Sequence, residues 1–233
     1  MFKDNTVGSR EAMSITIRQR NIILGLMLGD GHLEKNGNFS RLRIDQSLKH
    51  KDYVSWLYSE LKTIVPSEPR VIKEKDRRTK KIYARLHFST YSNAQLEKWR
   101  RVFYVKNRKI VPSGVLSMLN HRISLAVWFM DDGYKRNDCA AVRLNTDAFT
   151  CSEQNQLVRC LEKNFKIKSQ IHKKGRWFNI YIPKDEADKF CRLVKPYILP
   201  SFRYKLLWPR NDWSLRLKGE IRNCSESDAE LPI

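Results

Sequence analysis

Two short segments carry the chemistry open to this sequence. One is Ile23-Leu24-Gly25-Leu26-Met27-Leu28-Gly29-Asp30-Gly31. The other is Leu125-Ala126-Val127-Trp128-Phe129-Met130-Asp131-Asp132-Gly133. Each reads as a wholly apolar helical turn that ends in an acid and then a glycine. The glycine fits a helix C-terminus, where a left-handed residue is usual. The acid is unfavourable there, because the helix dipole is negative at that end, and a divalent cation would compensate it. Helices that are apolar all round are buried, and these two are expected to lie against each other. Gly25, Gly29 and Ala126 would permit close approach. Packed side by side, the helices bring Asp30 and Asp132 together. Adjacent carboxylates repel unless they share protons or a metal, and oxygen ligands around an open site suit Mg²⁺.

The elements that must position these acids repeat along the chain. Ile15 to Gly29 reads as a helix. Leu33 to Ser47 reads as two strands around Lys35-Asn36-Gly37-Asn38, an Asn-Gly hairpin signal. Lys51 to Val65 has apolar residues at helical spacing, and Pro66 and Pro69 end it. Val71 to Glu74 and Ile82 to Ser89 alternate as strands, and Asn93 to Tyr104 is helical. The order then recurs. Arg122 to Asp131 is a helix, Tyr134 to Phe149 is strand-like, and Ser152 to Phe165 is a helix with Ser152 as N-cap. Ile167 to His172 and Trp177 to Ile182 are strands, and Lys184 to Tyr197 is helical. The expected fold is α+β, two pseudo-symmetric αββαββα units with antiparallel sheets. The expected divisions are an N-terminal extension (1–14), a first repeat (15–114), a second repeat (115–218) and a loosely ordered acidic tail (219–233). A duplicated protein of this kind suits a two-stranded, near-symmetric target.

Charge narrows the partner. The 233 residues carry a net charge of +20, which points to a polyanion, nucleic acid before an anionic membrane. The longest uncharged apolar stretch, Ile22 to Gly29, is far short of a bilayer span. The N-terminus has neither a secretory h-region nor the composition of a transit peptide. The cysteines (139, 151, 160, 191 and 224) are odd in number and widely spaced. They read as reduced, mostly buried thiols rather than disulfides or a zinc site. The histidines make no metal-binding spacing, and there is no phosphate-cradling or dinucleotide glycine pattern. His32, close after Asp30, reads as a structural or surface residue, and Trp177 and Tyr83 read as packing residues.

Both acid-bearing segments resemble the LAGLIDADG motif, and Trp128-Phe129-Met130-Asp131-Asp132-Gly133 is the more specific copy. The span from about Ile22 to Leu206 is similar to two-repeat, monomeric LAGLIDADG homing endonucleases. Asn145-Thr146, Phe149-Thr150, Lys195-Pro196-Tyr197 and Tyr204-Lys205-Leu206 add to the likeness. The first copy departs from the motif at Leu28, where the family has Asp, but the metal-binding acid is kept in both copies. The resemblance implies a saddle of sheets over a central helix pair. It implies a site-specific enzyme that makes a staggered double-strand break in a long pseudo-symmetric DNA target and promotes mobility of its intron. An RNA-binding intron maturase on the same fold is the alternative, with intron RNA as its partner. No membrane partner is implied. It further implies an organelle-encoded protein of mitochondrion or plastid, with a bacterial or phage setting open.

By the same resemblance, Asp30 and Asp132 hold divalent metal, Mg²⁺ with Mn²⁺ as a substitute. The carbonyls of Gly29 and Asp131 also ligate it. Lys109 and Lys205 complete the catalytic set by similarity, and Gln46 and Asn145 order its water. DNA is expected on the sheets, because a β-ribbon fits the major groove and alternation aims one face at it. The contact candidates are Arg41, Arg43, Lys73, Lys75, Arg77, Arg78, Lys80, Lys81, Arg85, Arg143, Lys168, Lys173, Lys174 and Arg176. Hairpin tips such as Arg77-Arg78 and Lys173-Lys174 are expected on phosphate rather than base edges.

Overall fold

The computed structural model describes residues 14–75, 77–175 and 177–207. Most of the expected N-terminal extension, the acidic tail and Arg176 lie outside the described residues, as does the side chain of Lys174. The first half runs α1 (Ile17–Leu28), β1 (His32–Asn36), β2 (Phe39–Ser47), α2 (Lys51–Leu61), β3 (Arg70–Lys75), β4 (Ile82–Ser89) and α3 (Ala94–Phe103). A short hairpin, β5 (Tyr104–Val105) and β6 (Arg108–Lys109), and a single turn, α4 (Val115–Met118), lead to the second half. There the order is α5 (Arg122–Asp132), β7 (Gly133–Lys135), β8 (Val142–Leu144), α6 (Cys151–Phe165), β9 (Gln170–Lys174), β10 (Trp177–Ile182) and α7 (Lys184–Val194). The fold is α+β with two αββαββα units.

Each half carries one four-stranded antiparallel sheet, ordered β1-β2-β4-β3 and β7-β8-β10-β9. The inward faces bury Leu33, Leu42, Ile44, Leu86 and Phe88 in the first sheet, and Val142, Leu144, Ile180 and Ile182 in the second. α1 and α5 form the shared middle of the core. Trp128 and Phe129 of α5 have no exposed surface. Each such side chain contributes about 1.5–3 kcal/mol of burial. Among the described residues no helix is long and apolar enough to cross a membrane.

Local chemistry sets the element ends. α1 starts at a capping box, in which Thr16 accepts from the Gln19 N–H and Gln19 reaches back. α6 starts at Thr150, boxed with Glu153, and not at Ser152. The Glu153 carboxylate also accepts from the Val111 N–H at 3.3 Å and pairs with Arg108 at 3.3 Å, which fastens the connecting segment to the second half. The first hairpin turns through Gly37-Asn38, with Gly37 at φ +63°. The stretch from Tyr134 to Phe149 resolves into two three-residue strands rather than one continuous run.

The glycines after the acids are not left-handed. Neither Gly31 nor Gly133 has a positive φ. They are required by crowding: a Cβ on Gly133 would fall 1.9 Å from the Phe129 ring, and one on Gly31 would fall 2.7 Å from the Leu26 side chain. The thiols also differ from expectation. Cys160 and Cys191 are buried, but Cys139 and Cys151 are exposed, and all four are free. Trp177 and Tyr83 are each about half exposed, at 48% and 49%. Neither ring is fully buried in its sheet.

Candidate active site

α1 and α5 meet along a stripe of small contacts. Ser124 Oγ donates to the Asn21 carbonyl at 2.8 Å. A Cβ on Gly25 would lie 2.5 Å from the Ser124 carbonyl and 2.7 Å from the Val127 Cβ. The bulk of Val127 is therefore taken up by the missing side chain of Gly25. One turn further on, Gly29 faces the Asp131 side chain. Gly25 and Gly29 thus face Ser124, Val127 and Asp131 of α5, and Ala126 is not among the nearest neighbours of either glycine.

This packing delivers the two acids to one place. Asp30 is exposed at the end of α1, and Asp132 is half-buried at the end of α5. Burial first, and then the negative charge of Asp30, push the Asp132 carboxyl up to about 7. Lys109 and Lys205 partly oppose that rise. Neighbouring Asp131 is raised well above the usual carboxylate range, by burial and then by Asp30. The Asp131 carboxylate accepts from the Asp30 N–H at 3.0 Å and from the Tyr53 hydroxyl at 2.7 Å.

A lysine closes each helix end. Lys109 Nζ donates to the carbonyls of Gly29 and Gly31, the latter at 3.1 Å. Lys205 Nζ donates to the carbonyls of Met130, Phe129 and Asp131, the last two at 3.4 Å. Cations are favourable against the C-terminal ends of helices. Burial lowers both ammonium groups below the usual lysine range, and the aspartates resist that fall. Lys109 is held by the β5–β6 hairpin, where it pairs with Tyr104. The Tyr104 hydroxyl accepts from the Leu33 N–H at 3.2 Å and meets His32 Nδ1 at 3.1 Å. Lys205 closes a short 3₁₀ turn (Pro200–Lys205) and lies 5.2 Å from the centre of the Phe202 ring.

The two amides behave differently. Gln46 Nε2 donates to Asp30 at 2.9 Å. Asn145 reaches Asp132 only through its backbone, donating its N–H to the Asp132 carbonyl at 3.0 Å. Its side-chain oxygen is buried with no hydrogen-bond partner.

Beside Asp30 and Gln46 opens a cavity of about 850 Å³, which Lys75, Arg77 and Arg85 also line. The strand register sorts the basic candidates. Arg41, Arg43 and Arg85 share one face of the first sheet. There they alternate with acids, Arg41 to Glu34 at 2.5 Å, Arg43 to Asp45 at 3.0 Å and Arg85 to Asp45 at 2.7 Å. Lys73 pairs with Ala84 and Lys75 with Ile82, the register of the opposite face, although Lys75, at the strand end, still borders the cavity. Lys173, paired with Phe178, is likewise turned away from Arg143, which lies across from Tyr181. Counting charge without strand parity grouped these lysines with the arginines. Arg77, Arg78, Lys80 and Lys81 form the exposed β3–β4 turn, and Lys168 is exposed ahead of β9.

Tyr53, Tyr104 and the side chain of Asp131 are the site residues that sequence reasoning missed. Tyr53 sits at an apolar position of an amphipathic helix, where nothing marks its hydroxyl as partnered. The Tyr104 hairpin has two-residue strands, too short to show a period.

The site is an oxygen-rich, lysine-flanked junction between two related halves, each presenting a partly basic sheet. The chain belongs to the LAGLIDADG DNA endonuclease family, which it matches over residues 20–190. It is 30% identical over 191 residues to the cytochrome b mRNA maturase bI2 of Debaryomyces hansenii, a match covering 79% of this chain and 72% of that protein. It is 29% identical over 196 residues to the probable intron-encoded endonuclease 1 of Wickerhamomyces canadensis, covering 82% and 84%. Among solved structures, the homing endonuclease I-WcaI bound to its DNA recognition sequence aligns with a TM-score of 0.80 and 24% identity. That alignment covers 88% of this chain and 94% of the other, and at this identity it shows the fold.

Proposed function

We propose that this protein is a site-specific homing endonuclease that acts as a monomer. It cuts both strands of a long, pseudo-symmetric DNA target with a stagger by cation-dependent phosphodiester hydrolysis. The observation that carries this reading is the convergence of Asp30 and Asp132 at the joined ends of α1 and α5. The two repeats, 15–114 and 115–218, each serve one DNA strand.

The donor set fits a hard divalent cation. It comprises the carboxylates of Asp30 and Asp132 and the carbonyls of Gly29 and Asp131, all oxygen. Mg²⁺ is usually held by one or two carboxylates together with waters and substrate phosphates, and Mn²⁺ accepts the same ligands. Phosphate oxygens of bound DNA would complete the coordination in this reading. A bound cation supplies Lewis-acid stabilisation at the phosphate and a more acidic water.

The chain's own residues do the rest. Gln46 orients the Asp30 carboxylate through its amide hydrogen bond. Lys109 and Lys205 hold the terminal carbonyls in place and bring positive charge to the cleavage positions, where charge develops on phosphate oxygens. Asn145 serves the Asp132 side of the site. The faces bearing Arg41, Arg43, Arg85 and Arg143 meet the grooves. The exposed turn of Arg77, Arg78, Lys80 and Lys81, with Lys168, meets phosphates at the periphery.

The name of the Debaryomyces hansenii relative favours a second reading, in which this chain also binds intron RNA as a maturase. An intron as host gene accords with the name of the Wickerhamomyces canadensis relative, and an organellar setting for that intron is part of the same proposal. The test is incubation with a randomised DNA target library, with and without Mg²⁺, and sequencing of the cut ends. A single long consensus cut only with the cation is the expected result. No cation-dependent cutting, with tight binding to structured intron RNA, would leave the maturase reading alone.

A further inference from the structure

We propose that Tyr53 and the Asp131 carboxylate form a positioning link through which the second half holds the first half's metal-binding acid. The inference rests on the endonuclease reading above and deepens it. In the second motif Asp131 stands where the first has Gly29. Its carbonyl belongs to the site, but its side chain points elsewhere. The carboxylate is taken by two donors from the first half, the Tyr53 hydroxyl at 2.7 Å and the backbone N–H of Asp30 at 3.0 Å.

Tyr53 is itself clamped. It is 1% exposed and packs edge-on against Phe202 at 5.1 Å. Lys205 lies over the Phe202 ring and donates to the Asp131 carbonyl. Contacts therefore run from α2 of the first half to the lysine of the second, along Asp131, and back to Asp30. The link runs one way, because Gly29 has no side chain to return it. A buried polar group that loses its partner pays its desolvation cost in full, so removing the Tyr53 hydroxyl frees the Asp131 carboxylate to shift and lets the end of α1 move. Angstrom-scale misplacement of a metal-binding acid is enough to slow chemistry.

The test is strand-resolved cleavage of a target selected by the wild-type protein, labelled on both strands, alongside amide hydrogen exchange of the DNA-free, cation-free protein. Tyr53→Phe keeps the ring and removes only the hydroxyl. It is expected to leave DNA affinity within about twofold while slowing one strand about tenfold or more. That strand is the one left uncut by Asp30→Asn, so nicked DNA accumulates. The Asp30 amide is expected to exchange faster. If Tyr53→Phe does not fold, Asp131→Asn, which keeps the carbonyl, is read by the same measurements. Equal slowing of both strands, no slowing, or an unchanged Asp30 amide overturns the link. A wild-type protein that cuts nothing overturns the endonuclease reading instead, and the amide exchange still decides the link.

Discussion

Asp131 and Gly29 occupy the same place in the two motifs and touch each other: a Cβ on Gly29 would fall 2.5 Å from the Asp131 Cβ and within 2.4 Å of its carboxylate oxygen. The glycine is therefore a steric requirement of the helix pair. Gly25 is held the same way, but against backbone, the Ser124 carbonyl. Backbone cannot rotate aside, so Gly25→Ala must push the helices apart. Overpacking of this kind costs about 1–3 kcal/mol. Thermal and denaturant unfolding should show Gly25→Ala destabilised by that amount or more, with cleavage falling alongside. Unchanged stability would mean that the helices are not in this contact.

Much of this arrangement was legible in the sequence, for physical reasons. An all-apolar helix has few places to go except against another, and two of them ending in acid and glycine predict one shared site. The repeated element order predicts two similar sheets. What stayed hidden depends on direction rather than composition. Lys73, Lys75 and Lys173 are basic strand residues like Arg41, but parity places them on the other face. Thr150 outcompetes Ser152 as N-cap because Glu153 completes its box. Lys106 and Asn107 both adopt positive φ without glycine, so the turn that presents Lys109 carries no glycine signal.

Lys109 and Lys205 make matching contacts on opposite halves, so their loss should be felt strand by strand. Lys109→Met and Lys205→Met are each expected to slow cleavage of one strand by about 10²-fold, the effect of removing one charge-stabilising donor. DNA affinity should change only a few-fold, since each variant loses one of many cations. Single-turnover assays with each strand labelled make the comparison. Full-rate cutting of both strands by either variant would remove the lysines from the site.

The raised carboxyls make stability depend on pH in an unusual direction. Asp132 is held near pKa 7 in the folded chain against an ordinary value of 3.8. Between those values the native state holds the proton and the unfolded state does not. Stability therefore falls as pH rises through that window, by at most about 1.4 kcal/mol per pH unit. Asp131, raised too, acts in the same sense. The lowered lysines act oppositely, adding stability as pH rises in the alkaline range below 10.5. The lowered imidazoles of His32, His87 and His172 add stability as pH rises below 6.5, so the carboxyl contribution is read by difference: from pH 5.5 to pH 7.5 the cation-free wild type should lose more melting temperature than Asp132→Asn. Added Mg²⁺ should raise the melting temperature more at pH 7.5, where the carboxylates are free of protons. The same pH dependence in wild type and Asp132→Asn without cation, or equal cation effects at both values, would contradict the raised carboxyl.

The paired acids are tested most directly by Asp30→Asn and Asp132→Asn, assayed on the target selected by the wild-type protein, with binding and strand cleavage measured together in Mg²⁺. The account predicts that each variant binds DNA with wild-type affinity and neither makes a double-strand break. Linear product at the wild-type rate from either variant would contradict it.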